Sequence, residues 1–133
     1  MPIKARLTTK GFEEYLEKLA QAGKDIDRIA AEALTVGGSI LLDGMQRRVP
    51  KDTQNLLKNL ECTEPKQDGN LVYVEIGVSR RADANTARYA NAQEFGSSSM
   101  PAQAYIRPTM DEDMGKAKRE MKKVFEKEIG KIG

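Results

Sequence analysis

The strongest constraint in the sequence is a long apolar stripe between residues 26 and 45. Apolar or small residues recur there at spacings of three and four, the repeat of one helix face. The stripe consists of Ile26, Ile29, Ala30, Ala33, Leu34, Gly37, Ile40, Leu41, Gly44 and Met45. It predicts one long helix, and Pro50 ends it because a proline restricts the preceding Val49 to extended geometry. Any fold of this chain must cover that stripe.

Two glycines, Gly37 and Gly44, lie on the stripe. A glycine inside a helix costs about 0.5 to 1 kcal/mol relative to alanine, because it loses more backbone entropy on folding. We expect the missing side chains to allow close approach of another backbone, from the sheet of the same subunit or from a neighbouring subunit. Packing within the subunit is the favoured explanation, since tertiary packing commonly overrides helix propensity.

The other periodic segments predict an α+β fold in a single domain, residues 1–133. A small antiparallel sheet, made of an N-terminal strand and a hairpin, is expected to pack against the long N-terminal helices and a C-terminal helix. The predicted elements are a strand in residues 3–9, a helix from Phe12 to Leu19, the long helix, a short helix near Leu56 capped by Asp52 or Thr53, a hairpin in residues 60–78 that turns at Asp68-Gly69, and a terminal helix from Pro108 to Ile129.

Two segments have no clear period. Residues 79–88 contain few apolar side chains, so we predict a mobile loop there. Residues 96–106 mix apolar side chains with serines and a proline, which predicts an irregular segment that docks onto this subunit or a neighbour. Gly96 is expected to end a short helical turn begun near Thr86, although the pattern does not separate that turn from a strand. Residues 79–88 and part of 96–103 are expected to be disordered or variable in an isolated subunit.

The composition excludes most kinds of catalytic site and metal-binding site. The chain has no histidine, and one cysteine, Cys62, excludes an internal disulfide and a cysteine-based metal site. Glu61 and Glu64 flank Cys62, and their charges raise the pKa of a thiol rather than lower it. The acidic run 111–113 is favoured by the dipole of the terminal helix, and we prefer this explanation to a metal site. We therefore expect a protein without enzymatic activity, cofactor or metal.

Charge and hydropathy limit the partners. The formal net charge is +2 and both signs are interspersed, so the electrostatic case for a nucleic-acid binder is weak. The alternative function is nevertheless a small nucleic-acid-binding or regulatory module that uses Arg47, Arg48, Arg80, Arg81 and Arg88. No apolar run approaches the roughly 20 residues of a membrane span, and the N-terminus has no apolar signal region. No membrane partner and no export by the usual signal are expected.

The segments "RRVPKDTQNLLKNL" and "ARYANAQEFGSSSMPAQAYIRPTM" resemble the signature of a known family. It comprises the small head-tail connector, tail-completion or neck proteins of long-tailed bacteriophages and prophages, typified by the tenth gene product of a lambdoid phage. The matching residues are Val49, Pro50, Asp52, Thr53 and Leu56, then Tyr89, Ala90, Glu94, Phe95 and Gly96, and finally Met100, Pro101, Ala102, Arg107 and Pro108. Gln54 replaces a glycine, Ser97 a threonine, and Ala104 and Tyr105 a proline and a phenylalanine of the family pattern.

The resemblance implies a non-enzymatic structural subunit of the virion neck or tail, present in the host cytoplasm during assembly. It implies a hexameric ring whose partners are the chain itself, head-completion or stopper proteins, and a tail terminator or tail tube protein. DNA would pass through such a ring without specific recognition. The candidates for partner or subunit contact are Arg80, Arg81, Arg88, Tyr89, Glu94, Phe95, Gly96, Met100, Pro101 and Arg107. Val49, Pro50, Asp52, Thr53, Leu56 and Pro108 are expected to have structural roles.

Within this match, two contacts are expected. Arg107 should pair with Glu94, in the same or an adjacent subunit. Tyr89 and Phe95 should anchor their segment to the sheet or to a neighbouring subunit, and packing within the subunit is favoured for both because buried anchors outnumber interface hot spots.

Overall fold

The computed structural model of the protein describes residues 4–50, 54–98 and 101–132, and it confirms the α+β class. Within these residues the elements follow one another as β1 (Lys4–Thr8), α1 (Glu13–Gln21), α2 (Ile26–Arg48), α3 (Gln54–Lys58), β2 (Leu60–Cys62), β3 (Lys66–Asp68), β4 (Leu71–Val78), α4 (Ala84–Phe95) and α5 (Ile106–Ile129). The predicted N-terminal strand, long helix, hairpin and terminal helix are all present.

The long helix α2 has the ends that its sequence predicts. At its start, the Asp25 side chain accepts a hydrogen bond from the backbone N–H of Arg28 at 3.2 Å, which satisfies one of the unpaired donors of the first turn. At its end, Val49 is extended, with φ −66° and ψ 141°. The stop before Pro50 is therefore confirmed.

The sheet is antiparallel and centred on β4. Its strand order is β1-β4-β2, and β3 also pairs with β4. The hairpin turn lies one residue later than predicted, because Asp68 still pairs with Leu71 and the loop consists of Gly69 and Asn70. Gly69 has φ +61°, and Pro65 lies in the gap between β2 and β3. Alternate residues of β4 face the core, and these are Val72, Val74, Ile76 and Val78.

The helices cover one face of this sheet. Helix α2 contacts β4, and α5 packs along α2. Met121 and Phe125 of α5 are fully buried, and the ring of Phe125 lies 5.0 Å from that of Phe12, between centroids. The opposite sheet face, which carries Tyr73 and Glu75, is not covered in this way and stays partly exposed.

The glycines of α2 make room for neighbours within the same chain, as favoured by the sequence. A Cβ atom at Gly37 would lie 2.7 Å from Sδ of Met121, and one at Gly44 would overlap the carboxylate of Asp113. The expectation that a second backbone fills these gaps is wrong, because the nearest atoms are side chains. The glycines therefore admit side chains of α5 into the surface of α2.

Replacing Gly44 by alanine is expected to lower the free energy of unfolding by about 1 to 3 kcal/mol, because the added methyl group displaces Asp113 and Thr109. Gly115→Ala is the matched control, since its nearest neighbour is Arg119 Nη1 at 3.5 Å. This control should raise the free energy of unfolding by about 0.5 to 1 kcal/mol through helix propensity. Urea denaturation followed by circular dichroism measures both, and a Gly44→Ala protein as stable as wild type would contradict the packing described.

The loop prediction for residues 79–88 is wrong from Ala84 onward, where α4 begins. The physical reason is local capping, because Asp83 accepts a hydrogen bond from the N–H of Thr86 at 2.7 Å. Thr86 and Ala90 then bury a narrow face of small residues, which is a weak apolar signal in the sequence. Whether residues 79–83 are mobile stays a prediction.

Candidate functional site

Helix α4 carries most of the middle part of the family signature and has a defined end. Gly96 stands directly after it with φ 80° and donates its N–H to the carbonyl of Ala92 at 2.7 Å. This positive φ favours glycine, so the prediction that Gly96 ends a helical segment is confirmed. The N–H of Gln103 then bonds to the carbonyl of Gln93, which holds the following segment against the end of α4.

The carboxylate of Glu94 caps the N-terminus of α5. Glu94 is only 3% exposed, and its Oε1 accepts the backbone N–H groups of Tyr105 at 2.9 Å and Ile106 at 2.7 Å. Its Oε2 accepts the N–H of Arg107 at 3.0 Å. Three consecutive N–H groups at the start of α5 therefore converge on one carboxylate from another helix.

This arrangement compensates for a missing local cap. The first N–H groups of a helix have no partner within the helix, and the helix dipole makes its N-terminus favourable for negative charge. Tyr105 occupies the N-cap position of α5 and provides no capping side-chain hydrogen bond. Glu94 supplies both the acceptor and the charge that Tyr105 lacks.

The predicted pairing of Glu94 with Arg107 is present in the same chain, but it is the lesser contact. Nε of Arg107 lies 3.9 Å from Oε2 of Glu94, and the Arg107 side chain is 64% exposed. An exposed ion pair at that distance contributes little, whereas buried hydrogen bonds to a charged acceptor are strong. The sequence signal for the cap is the absence of Ser, Thr, Asp or Asn at the start of α5.

Tyr105 is fully buried beside this cap. Among the described residues, its hydroxyl has no hydrogen-bond partner. Burial raises the pKa of Tyr105, and the nearby charge of Glu94 raises it further. The hydroxyl is therefore a neutral polar group held without compensation in the core.

Replacing Tyr105 by phenylalanine is expected to raise the free energy of unfolding by about 1 kcal/mol, because it removes a buried, unsatisfied polar group and keeps the ring. Thermal denaturation measures this, and the melting temperature should rise. Tyr73→Phe, on the partly exposed sheet face, is the control and should change it little. A clear loss of stability in Tyr105→Phe would show that the hydroxyl has a partner.

A second cluster joins α5 to α2. The Arg48 guanidinium donates Nη1 to Oδ2 of Asp113 and Nη2 to Oε2 of Glu112, each at 2.6 Å. Nη1 also lies 3.2 Å from Oγ1 of Thr109, whose hydroxyl donates to the carbonyl of Tyr105 at 2.6 Å. Hydrogen bonds therefore run from the end of α2 to the capped start of α5.

This cluster changes the interpretation of the acidic run 111–113. The Arg48 side chain holds the pKa of Asp113 below its usual value, chiefly through their hydrogen bond. Because the folded-state pKa is lowered, the pair stabilises the protein above about pH 4 and this contribution is lost as the pH falls through the folded-state pKa. Glu112 and Asp113 are therefore ion-pair partners of α2, and no acid of the run lies in the first turn of α5, where the dipole effect is concentrated. In the described part of the chain, no group of acids or cysteines is arranged to hold a metal.

The five arginines of the alternative function lie in different environments. Nε of Arg47 lies 3.0 Å from Oδ2 of Asp43, and its Nη2 lies 3.2 Å from Oδ2 of Asp113. Arg48 also pairs with Asp113, so both arginines are engaged in ion pairs. Arg80 and Arg81 lie together after β4 and line one pocket. Arg88 is exposed on α4 and hydrogen-bonds to Asn85. The structure brings them together only as two separate pairs and one single residue.

The parts of the family signature meet around α4 and α5. Val49 and Leu56 of the first part are buried, and α3, which carries Leu56, packs against α4. Glu94 of the second part caps α5, and Pro108 of the last part lies in the first turn of that helix, where its missing N–H is harmless. Asp52, Thr53 and Met100 lie outside the described residues. The described motif residues thus build one junction between three helices.

Two aromatic residues of the signature behave differently. Tyr89 is half-buried and packs against the core, as expected. Phe95 is 58% exposed, so the expectation that it packs within the subunit is wrong. The turn of α4 that points Glu94 inward leaves its neighbour Phe95 outward, and Pro101 is also exposed. Phe95 is the most exposed large apolar side chain among the described residues.

Cys62 is not an activated thiol. Burial raises its pKa to about 11, and Glu64 and Glu61 add to the shift, as the sequence indicates. A thiol with this pKa is almost entirely protonated at neutral pH.

None of the helices in the described residues is both long enough and apolar enough to span a bilayer.

Comparison with known proteins identifies one family. The family model described as "HK97-gp10_like: Bacteriophage HK97-gp10, putative tail-component" matches residues 10–96, from before α1 to the end of α4. No curated protein and no solved structure matches the chain significantly. The family match covers well over half of the chain and supports a structural phage tail protein. The protein therefore belongs to the HK97 gp10-like family of bacteriophage tail components.

Proposed function

We propose that this protein is a non-enzymatic ring subunit that joins the head of a long-tailed phage to its tail. Membership of a phage tail-component family supports a structural role in the virion. The family signature in residues 49–108 supports the narrower role of tail completion at the neck. One face of the ring would contact head-completion or stopper proteins, and the other would contact the tail terminator or tail tube.

The exposure of Phe95 is the observation that carries this proposal. Val49, Leu56 and Ala90 of the signature are buried, but Phe95 projects from the end of α4 with 58% of its surface exposed. Exposed aromatic side chains are frequent anchors of protein interfaces, since they bury a large area at low entropic cost. In a closed ring, such an anchor docks on a different patch of the next subunit. Every subunit therefore makes the same contact with its neighbour.

The nucleic-acid-binding alternative has less support. Arg47 and Arg48 already contact Asp43, Glu112 and Asp113, so their charges are largely compensated. Binding through phosphate contacts needs a continuous basic surface, and the remaining arginines are divided between a pocket and α4. A subunit of a protein assembly is therefore the better-supported function.

Native mass spectrometry tests ring formation directly. The purified chain is measured alone and with the tail terminator and head-completion proteins of its phage. We expect a closed oligomer, hexameric by family resemblance, in at least one of these mixtures. A protein that stays monomeric with every neck and tail partner would contradict the proposal.

A further inference from the structure

A polar pocket opens on the side of the sheet away from the helices. It is lined by Lys4, Glu61, Thr63, Lys66, Ser79, Arg80 and Arg81, and its volume is about 310 Å³. This volume admits a carboxylate side chain and is at the lower end of the range for ligand sites. The pocket is separate from the junction of α4 and α5.

The register of the sheet explains why the surface is concave here. Lys4 of β1 and Glu61 of β2 both pair with Gly77 of β4, one on each side. Gly77 has no side chain to fill the space between them. At the end of β4, the turn of residues 79–82 closes the pocket, and the N–H of Ser79 fixes that turn by bonding to the carbonyl of Asn59 at 2.7 Å.

The charges of the pocket are not balanced by its own residues. Four cations and one carboxylate line it. Nearby, Oε1 of Glu75 lies 3.4 Å from Nζ of Lys66 and 4.0 Å from Nη2 of Arg80. Lys4 and Arg81 form no ion pair within the described residues. Two positive charges are therefore left for an external anion.

Two hydroxyl groups of the pocket lining can donate to such an anion. Oγ1 of Thr63 accepts the N–H of Glu75 at 3.0 Å, and Oγ of Ser79 accepts the N–H of Arg81 at 3.1 Å. Each hydroxyl uses a lone pair in these bonds, so its proton is still available to donate. The pocket thus combines ammonium, guanidinium and hydroxyl donors, which together suit a carboxylate.

We infer that this pocket binds an acidic side chain, aspartate or glutamate, of a partner protein. A nucleic acid fits less well, because Glu61 and Glu75 on the same sheet face repel an extended polyanion. The aromatic ring available on that face, Tyr73, is covered by the guanidinium of Arg6 at 4.0 Å from the ring centroid. It therefore offers no open platform for stacking bases. This binding does not depend on ring formation and is measured on the isolated chain.

Amide NMR titration at low salt tests the inference, with a capped tetra-aspartate peptide as the probe. Saturable shifts are expected at Thr63, Ser79 and Arg81. Lys4→Ala and Arg81→Ala should each weaken binding about tenfold, the usual effect of losing one charge-assisted hydrogen bond. Arg88→Ala removes an exposed arginine outside the pocket and should leave the affinity unchanged.

Inorganic phosphate and a decathymidylate are titrated in parallel to identify the source of the anion. The inference is supported if the peptide binds more tightly than phosphate and more tightly than the oligonucleotide. Peptide binding should also be lost in Arg81→Ala and kept in Arg88→Ala. Equal or tighter binding of phosphate, or tighter binding of the oligonucleotide, overturns it. The absence of saturable shifts, or equal losses in Arg81→Ala and Arg88→Ala, overturns it as well.

Discussion

Replacing Glu94 by alanine is expected to lower the free energy of unfolding by about 3 to 5 kcal/mol. The change removes a buried carboxylate that accepts three backbone N–H groups. The N–H groups of Tyr105 and Ile106 then have no acceptor in a largely dry site. Because α5 packs along α2, a frayed start of α5 weakens the core as well. Urea denaturation followed by circular dichroism measures the loss. Glu94→Gln, which keeps one acceptor oxygen and no charge, should be intermediate.

Arg107→Ala is the matched control for the Glu94 prediction. The Arg107 side chain is exposed and its charge lies 3.9 Å from Glu94, so its loss should lower the free energy of unfolding by less than about 1 kcal/mol. If Arg107→Ala and Glu94→Ala were equally destabilising, the ion pair rather than the helix cap would be the main contact. From most to least stable, the expected order is wild type, Arg107→Ala, Glu94→Gln and Glu94→Ala.

Replacing Phe95 by serine is expected to weaken subunit assembly by about 30-fold or more, the effect of losing one interface hot spot. The free energy of unfolding of the single subunit should change by no more than about 0.5 kcal/mol, because the side chain is already exposed. Sedimentation velocity over a concentration series, with the partner that supports assembly, gives the affinity.

Leu71→Ser is the matched control for Phe95. Leu71 is also an exposed apolar residue, 37% exposed, but it lies at the start of β4 and outside the signature. Its replacement should leave assembly unchanged. If Phe95→Ser assembled as well as Leu71→Ser, Phe95 would not be an interface anchor. If both failed equally, general surface hydrophobicity rather than a specific contact would drive association.

The parts of the fold that the sequence predicts are those defined by local patterns. The stripe of α2 repeats over many turns, Pro50 restricts Val49 to extended geometry, and Gly69 allows the tight turn between β3 and β4. Each of these signals acts between residues a few positions apart. They therefore determine the order and type of most elements without knowledge of the tertiary structure.

The contacts that sequence reasoning missed join residues distant in the chain. Glu94 reaches N–H groups 11 to 13 residues later, and Arg48 reaches Asp113 after 65 residues. The sequence predicts the Arg107 side chain as a partner of Glu94, but it specifies neither these backbone N–H groups nor Asp113 as the partner of Arg48. Helix α4 was missed in part because its buried face consists of small and polar residues, so its stability depends on the Asp83 cap and on packing against α3.

The exposure of Phe95 was likewise not predictable from residue type. An aromatic residue in a mixed segment is more often buried, and that expectation held for Tyr89. For Phe95 the position is decided by Glu94, whose carboxylate must face the start of α5 and which therefore turns its neighbour outward. A structural contact thus determines which side chain is exposed at the end of α4.

Electron microscopy of phage particles made with and without this protein tests its role at the neck most directly. If the protein joins head to tail, particles made without it should accumulate as separate heads and tails, and adding the purified wild-type protein should restore joined particles with a ring at the neck. The Phe95→Ser protein should fail to restore them. Complete, joined particles assembled in the absence of the protein would contradict the account.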